Sequence, residues 1–129
     1  MTIKDAIGIL YGPDNAATQY FRKTTYNDLY LLYKPKITTA TEKKIAGSLS
    51  AKDSWVALTG KWNMLANSVA GKLASLKPVN TDLDDYLTKK ALDGMFFKME
   101  IEELKIRKEV SARISPILQK VFGRLDRKP

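Results

Sequence analysis

Histidine and cysteine are both missing from this 129-residue sequence. Without histidine the commonest general base and the commonest transition-metal ligand are gone, which excludes His-based triads, the Glu-x-x-His di-iron motif and the zinc-protease helix. Without cysteine there is no thiolate nucleophile and no disulfide framework, so the redox compartment stays open. Long apolar runs are lacking too. The longest, residues 29–33, falls far short of the roughly 18 residues a membrane-spanning helix needs, so no transmembrane segment is expected. The opening Met1-Thr2-Ile3-Lys4-Asp5 has neither the apolar stretch nor the small-residue cleavage site of an export signal.

The apolar fraction of 44% and charged fraction of 28% are those of a chain able to bury one core, and they predict a single domain over 1–129. The net charge of +8 is unevenly spread, with basic surpluses over 1–81 and 110–129 flanking a slightly acidic 82–109. A basic surplus can attract nucleic acid, anionic membrane or acidic partners. Here the lysines are dispersed rather than blocked, which favours a solubility role and weakens a nucleic-acid reading.

Helical signals recur along the chain. Thr2 with Asp5 forms a capping arrangement, and Ile3, Ala6, Ile7 and Leu10 follow at helical spacing until Gly12-Pro13. A second helix is expected from Pro13-Asp14 to about Lys23, burying Ala17, Tyr20 and Phe21. Thr25 with Asp28 predicts a third start, with Tyr26, Tyr30, Tyr33 and Ile37 along one stripe and a kink or restart at Pro35. Ser50 with Asp53 caps the next, whose Trp55, Leu58, Trp62, Leu65 and Val69 form the clearest core face by spacing. Residues 68–80 predict a connector or short helix. Thr81 with Asp84 opens a long helical region containing Tyr86 and Leu87, with a break at Gly94. Ser115-Pro116 starts a last helix burying Ile117, Leu118, Val121 and Phe122, and Gly123 ends it. The fold class expected is all-α, an irregular bundle of about six to seven helices with no β-sheet.

Catalytic and metal templates fit poorly. Gly71-Lys72 lacks the first glycine and the hydroxyl residue of a phosphate-binding loop. Tyr86 and Lys90 have a spacing used by some dehydrogenases, but no glycine-rich turn precedes them, and Tyr30 and Lys34 repeat the spacing. Asp82, Asp84 and Asp93 occupy calcium-loop positions, yet Leu87 stands where glycine is required, and Asp82, Asp84 and Asp85 read better as charge crowding a helix N-terminus. Glu100, Glu102 and Glu103 read as a solvated face paired with Lys98, Lys105 and Arg107. Tyr20-Phe21-Arg22-Lys23 interleaves aromatic and basic residues, and packed aromatics beside a snorkelling Arg-Lys pair explain it. No catalytic residue, metal or cofactor is expected.

The stretch from Asp5 to Gly12, with Asp14, Ala16-Ala17-Thr18 and Tyr20-Phe21-Arg22, resembles a bacterial family catalogued only as a domain of unknown function, number 4197. A second block agrees: Asp82-Leu83, Asp85-Tyr86-Leu87-Thr88, Lys90 through Phe96, Glu102-Glu103, Ile106-Arg107, Arg113 and Val121-Phe122-Gly123. Between Lys34 and Asn80 the resemblance is loose. It implies an exported helical protein of the cell envelope, of periplasmic location, of which this sequence is the C-terminal part; it implies no activity. Asp14, Tyr20, Arg22, Asp85, Tyr86, Lys90 and Asp93 are the polar or amphipathic positions of the matching blocks that a ligand site would use. Caps and inter-helix salt bridges are the alternative use of the same residues. The leading expectation is therefore a non-enzymatic module binding another protein or an envelope component. A basic nucleic-acid-binding domain and a small-ligand carrier or histidine-free enzyme stand behind it, and the oligomeric state is open.

Overall fold

A computed structural model describes residues 2–126. Its elements are α1 (Ile3–Tyr11), α2 (Ala16–Thr41), β1 (Lys44–Ala46), β2 (Leu49–Ser50), α3 (Ala51–Asn67), α4 (Val69–Leu73), α5 (Leu83–Lys108), a 3-10 turn (Val110–Ala112) and α6 (Pro116–Phe122). The fold is essentially all-α. Among the described residues no helix is long and apolar enough to cross a membrane.

Local chemistry explains the helix starts. Thr2 and Asp5 form a reciprocal capping box on α1, and Ser50 and Asp53 form the same box on α3. Ser115 accepts the Leu118 N–H at 3.3 Å and Pro116 fills the first turn of α6.

Several expectations need correction. Helices expected over 13–23 and from Thr25 onward are one helix, α2. Thr25 is not a cap, because its hydroxyl donates back to the Phe21 carbonyl at 2.8 Å inside a continuing helix. Pro35 also lies within α2. Gly94 does not break α5, which runs through it. Asp82, rather than Thr81, caps α5, accepting the Asp85 N–H at 3.0 Å. The expectation of no β-sheet fails at a minimal antiparallel hairpin, where Lys44 pairs with Ser50 and Ala46 with Leu49 around Gly47, at φ +59. Strands this short show no readable alternation.

The chain divides into two compact units, Met1–Asn27 with Leu92–Pro129, and Asp28–Ala91. In the first, Phe96 is fully buried among Phe21 and Tyr26, with ring centroids 6.3 and 6.2 Å away, and Leu10 and Leu92 complete the apolar core. In the second, Leu83 and Ala66 are buried alongside Thr41, Thr59, Asp84 and Thr88. α3 therefore turns Thr59 and Ala66 inward, and most of the stripe expected to be its core lies outside.

Candidate functional site

In the first unit the densest polar cluster is an ion pair along one turn of α5. Arg107 donates from Nε and Nη2 to Glu103 at 2.9 and 2.7 Å, with both side chains almost wholly buried. Glu103 also accepts the N–H groups of Ala17 and Thr18 at 2.9 and 2.7 Å and the Thr18 hydroxyl at 2.7 Å, capping the start of α2 from a distance. Burial opposes ionisation of Glu103, but these donors and Arg107 outweigh it and hold the carboxyl below its ordinary range. Arg107 donates to the carbonyls of Leu10 and Ile9 at 3.0 and 2.7 Å at the end of α1, and lies 5.4 Å from the Phe122 ring centre. One pair thus satisfies orphan groups at opposite ends of two helices. Arg113, also buried, donates to the carbonyls of Ile106 and Arg107 and to Asp126.

Four of the seven positions singled out in the sequence lie in this unit. Arg22 pairs with Asp93, and its guanidinium sits 5.3 Å from the ring centres of both Tyr26 and Phe96, so it closes the edge of the aromatic core. Tyr20 is half-buried on α2. Asp14 meets Lys108 at 3.0 Å on the open surface.

The other three lie in the second unit. Asp85 accepts the Tyr30 hydroxyl at 2.6 Å, Lys89 at 2.9 Å and the Asn80 amide at 2.6 Å. The Tyr30 hydroxyl, then Lys89, holds its pKa down to about 2. Tyr86 stacks on Trp55 at 5.4 Å, and the Lys90 ammonium lies 5.8 Å from the Tyr86 ring centre. These residues fasten helix to helix and helix to loop.

Sequence reasoning passed over the strongest clusters. Glu103 is buried rather than on a solvated face, because Arg107 and the start of α2 enclose it. Asp84 is likewise buried, accepting Thr38 at 2.9 Å, Thr41, and Lys52 at 2.8 Å; burial works against its charge, but Lys52 and the hydroxyls prevail. The i,i+4 spacing of Glu103 and Arg107 was the one signal available; Lys52 and Asp84 have none. On α3, Trp55 and Trp62 donate their indole N–H to the carbonyls of Asn80 and Lys77 at 2.9 and 3.0 Å, and Asn63 both donates to and accepts from the Val79 main chain. These contacts strap residues 77–80 along the helix.

Apolar exposure is extensive. Leu58 is 66% exposed, Leu65 51%, Val69 78% and Leu73 83%, which corrects the expectation that the first three are core. The buried side of α3 is taken by Thr59 and Ala66, and Val69 lies beyond the end of that helix, on α4. Ile117 and Val121 of α6 are also exposed rather than buried. Beside α6, Phe21, Met99, Ile106, Leu118 and Phe122 line an almost wholly apolar groove of about 420 Å³.

The fold is an all-α one stapled by a buried ion pair, and the model of the family described as protein of unknown function (DUF4197) matches residues 1–123. The chain belongs to that family. No curated protein and no solved structure matches it.

Proposed function

We propose that the chain is a non-enzymatic binding module of the bacterial cell envelope that holds another protein or an envelope component. The observation that carries this reading is the set of apolar positions at helical spacing on α3 and α4 that the fold leaves open. Aliphatic surface of this kind is covered by a partner in proteins that use it. The charged residues of the matching blocks support it as well: Arg22, Asp93, Asp85 and Glu103 are each engaged in contacts that hold helices in place.

A thermal-unfolding screen read by Trp55 and Trp62 fluorescence tests the reading, with chelator, calcium, duplex DNA, envelope glycans and lipid vesicles added in turn. A component bound at about 100 times its dissociation constant stabilises by about 2.7 kcal/mol, a shift on the order of 10 °C for a chain of this size. A shift with glycan or vesicles supports the reading. A shift with duplex DNA that falls steeply with salt moves the assignment to nucleic-acid binding.

A further inference from the structure

We infer that the α3–α4 surface docks on an anionic lipid bilayer at its headgroup boundary; this rests on the binding-module reading and names its partner. From residue 54 to residue 81 the charged side chains are Lys61, Lys72 and Lys77, with no aspartate or glutamate. Lys52 and Asp53 just before are occupied, Lys52 by Glu42 and Asp84 and Asp53 by Lys44. The three later lysines form no ion pair among the described residues. Leu58 and Leu65 stand two turns apart on one side of α3, and Val69 and Leu73 stand on the side of α4 away from Gly71, which is buried against Ala66. Trp62 is 40% exposed at the border of this surface.

Aliphatic side chains, a border tryptophan and lysines of one sign are the composition of helices that lie in the membrane interface, with the apolar groups in the acyl boundary and the ammonium groups among phosphates. Side chains exposed to half or more of their surface project outward rather than line a groove. A fluid acyl layer conforms to such projections, whereas a protein partner needs matching holes. Burial also leaves no orphan donor at the border, because the Trp62 N–H already bonds the Lys77 carbonyl and Asn63 is paired with Val79.

The test mixes the full chain with phosphatidylglycerol-containing vesicles and separately with pure phosphatidylcholine vesicles, and reads the bound fraction by flotation. Binding to the anionic vesicles, with a blue shift of tryptophan emission and loss in high salt, is expected. Leu65→Ser with Val69→Ser should weaken it at least about tenfold, since each aliphatic withdrawn from the acyl boundary is worth roughly that factor. Lys61→Glu with Lys72→Glu should weaken it by about fivefold per lysine or more. Both pairs alter exposed side chains, so their melting curves should match the parent. Ile114→Ser with Ile117→Ser, equally exposed in the first unit, should leave binding unchanged. Absent flotation, equal flotation on neutral vesicles, or equal loss in that control pair overturns the proposal. So does a dimer, by light scattering, that Leu65→Ser with Val69→Ser dissolves, which assigns the face to a second copy. Stabilisation by envelope glycan without flotation removes the lipid and leaves the binding-module reading standing; silence in both removes the lipid and narrows that reading to a protein partner.

Discussion

Neighbouring glutamates on α5 have different fates. Glu102 is exposed and pairs with Lys105 at 2.7 Å, while Glu103, one residue on, is buried against Arg107 and the start of α2. Removing one member of a buried pair strands the other, so Glu103→Ala should cost about 3–5 kcal/mol in urea unfolding. Glu102→Ala, which breaks a solvated pair, should change stability by less than about 1 kcal/mol. Equal effects of the two substitutions would show that burial does not set the value of these charges. Composition and spacing treat the two residues alike, since each has a basic partner within one turn. The difference arises from Ala17 and Thr18, some 85 residues away, whose N–H groups need an acceptor. No local pattern carries that information.

At the scale of elements, three caps and two terminal glycines were readable, since α1 ends at Gly12 and α6 at Gly123 as expected, whereas internal breaks were not. Thr2, Ser50 and Ser115 cap the helices they were expected to cap, because a side-chain oxygen and the N–H two or three residues on form a local unit. Gly94 was misleading as a break, since the buried Leu92 and Phe96 on either side carry α5 through it, and α2 does not restart at Pro35. Two glycines make opposite predictions. A Cβ on Gly94 meets nothing within 4 Å, so Gly94→Ala should raise stability by about 1 kcal/mol through helix propensity. A Cβ on Gly71 would meet the Leu65 carbonyl oxygen and come within 2.8 Å of Ala66 Cα, both backbone atoms that cannot swing aside. Gly71→Ala should therefore cost about 1–3 kcal/mol, and melting temperatures of the two variants check the pair of signs. Pro35 removes a backbone donor from the middle of α2, so Pro35→Ala should stabilise, by at most about 3 kcal/mol. A melting temperature at or below the parent's would mean that the proline fits a bend the fold requires.

For the whole molecule, pH dependence follows from what titrates. The carboxyls of Asp82, Asp84, Asp85 and Glu103 are held below their ordinary values by donors, and Asp85 reaches about 2. A lowered folded pKa stabilises above the unfolded value of about 4, and that contribution disappears as the pH falls through the folded pKa. Lys34, Lys52 and Lys105 are raised, by Tyr30 and Asp82, by Asp84 and Glu42, and by Glu102 respectively, so their contribution is full below about pH 10 and is lost above it. With no histidine to titrate between, unfolding free energy should stay nearly level from about pH 5 to 9, then fall steeply toward pH 2 and again above pH 10. Urea unfolding across that range tests this; a step near pH 6.5 would contradict it. The sequence alone determined the helical class, three of the caps, the family and this missing titration, because each depends on composition or on residues within a turn or two. Tertiary structure decided which polar groups are buried and which apolar ones stay open. A periodic apolar stripe states that a helix has a face, but whether that face is covered depends on the element packed against it, and on α3 Thr59 and Ala66 take the inner side while Leu58 and Leu65 are left to meet something else.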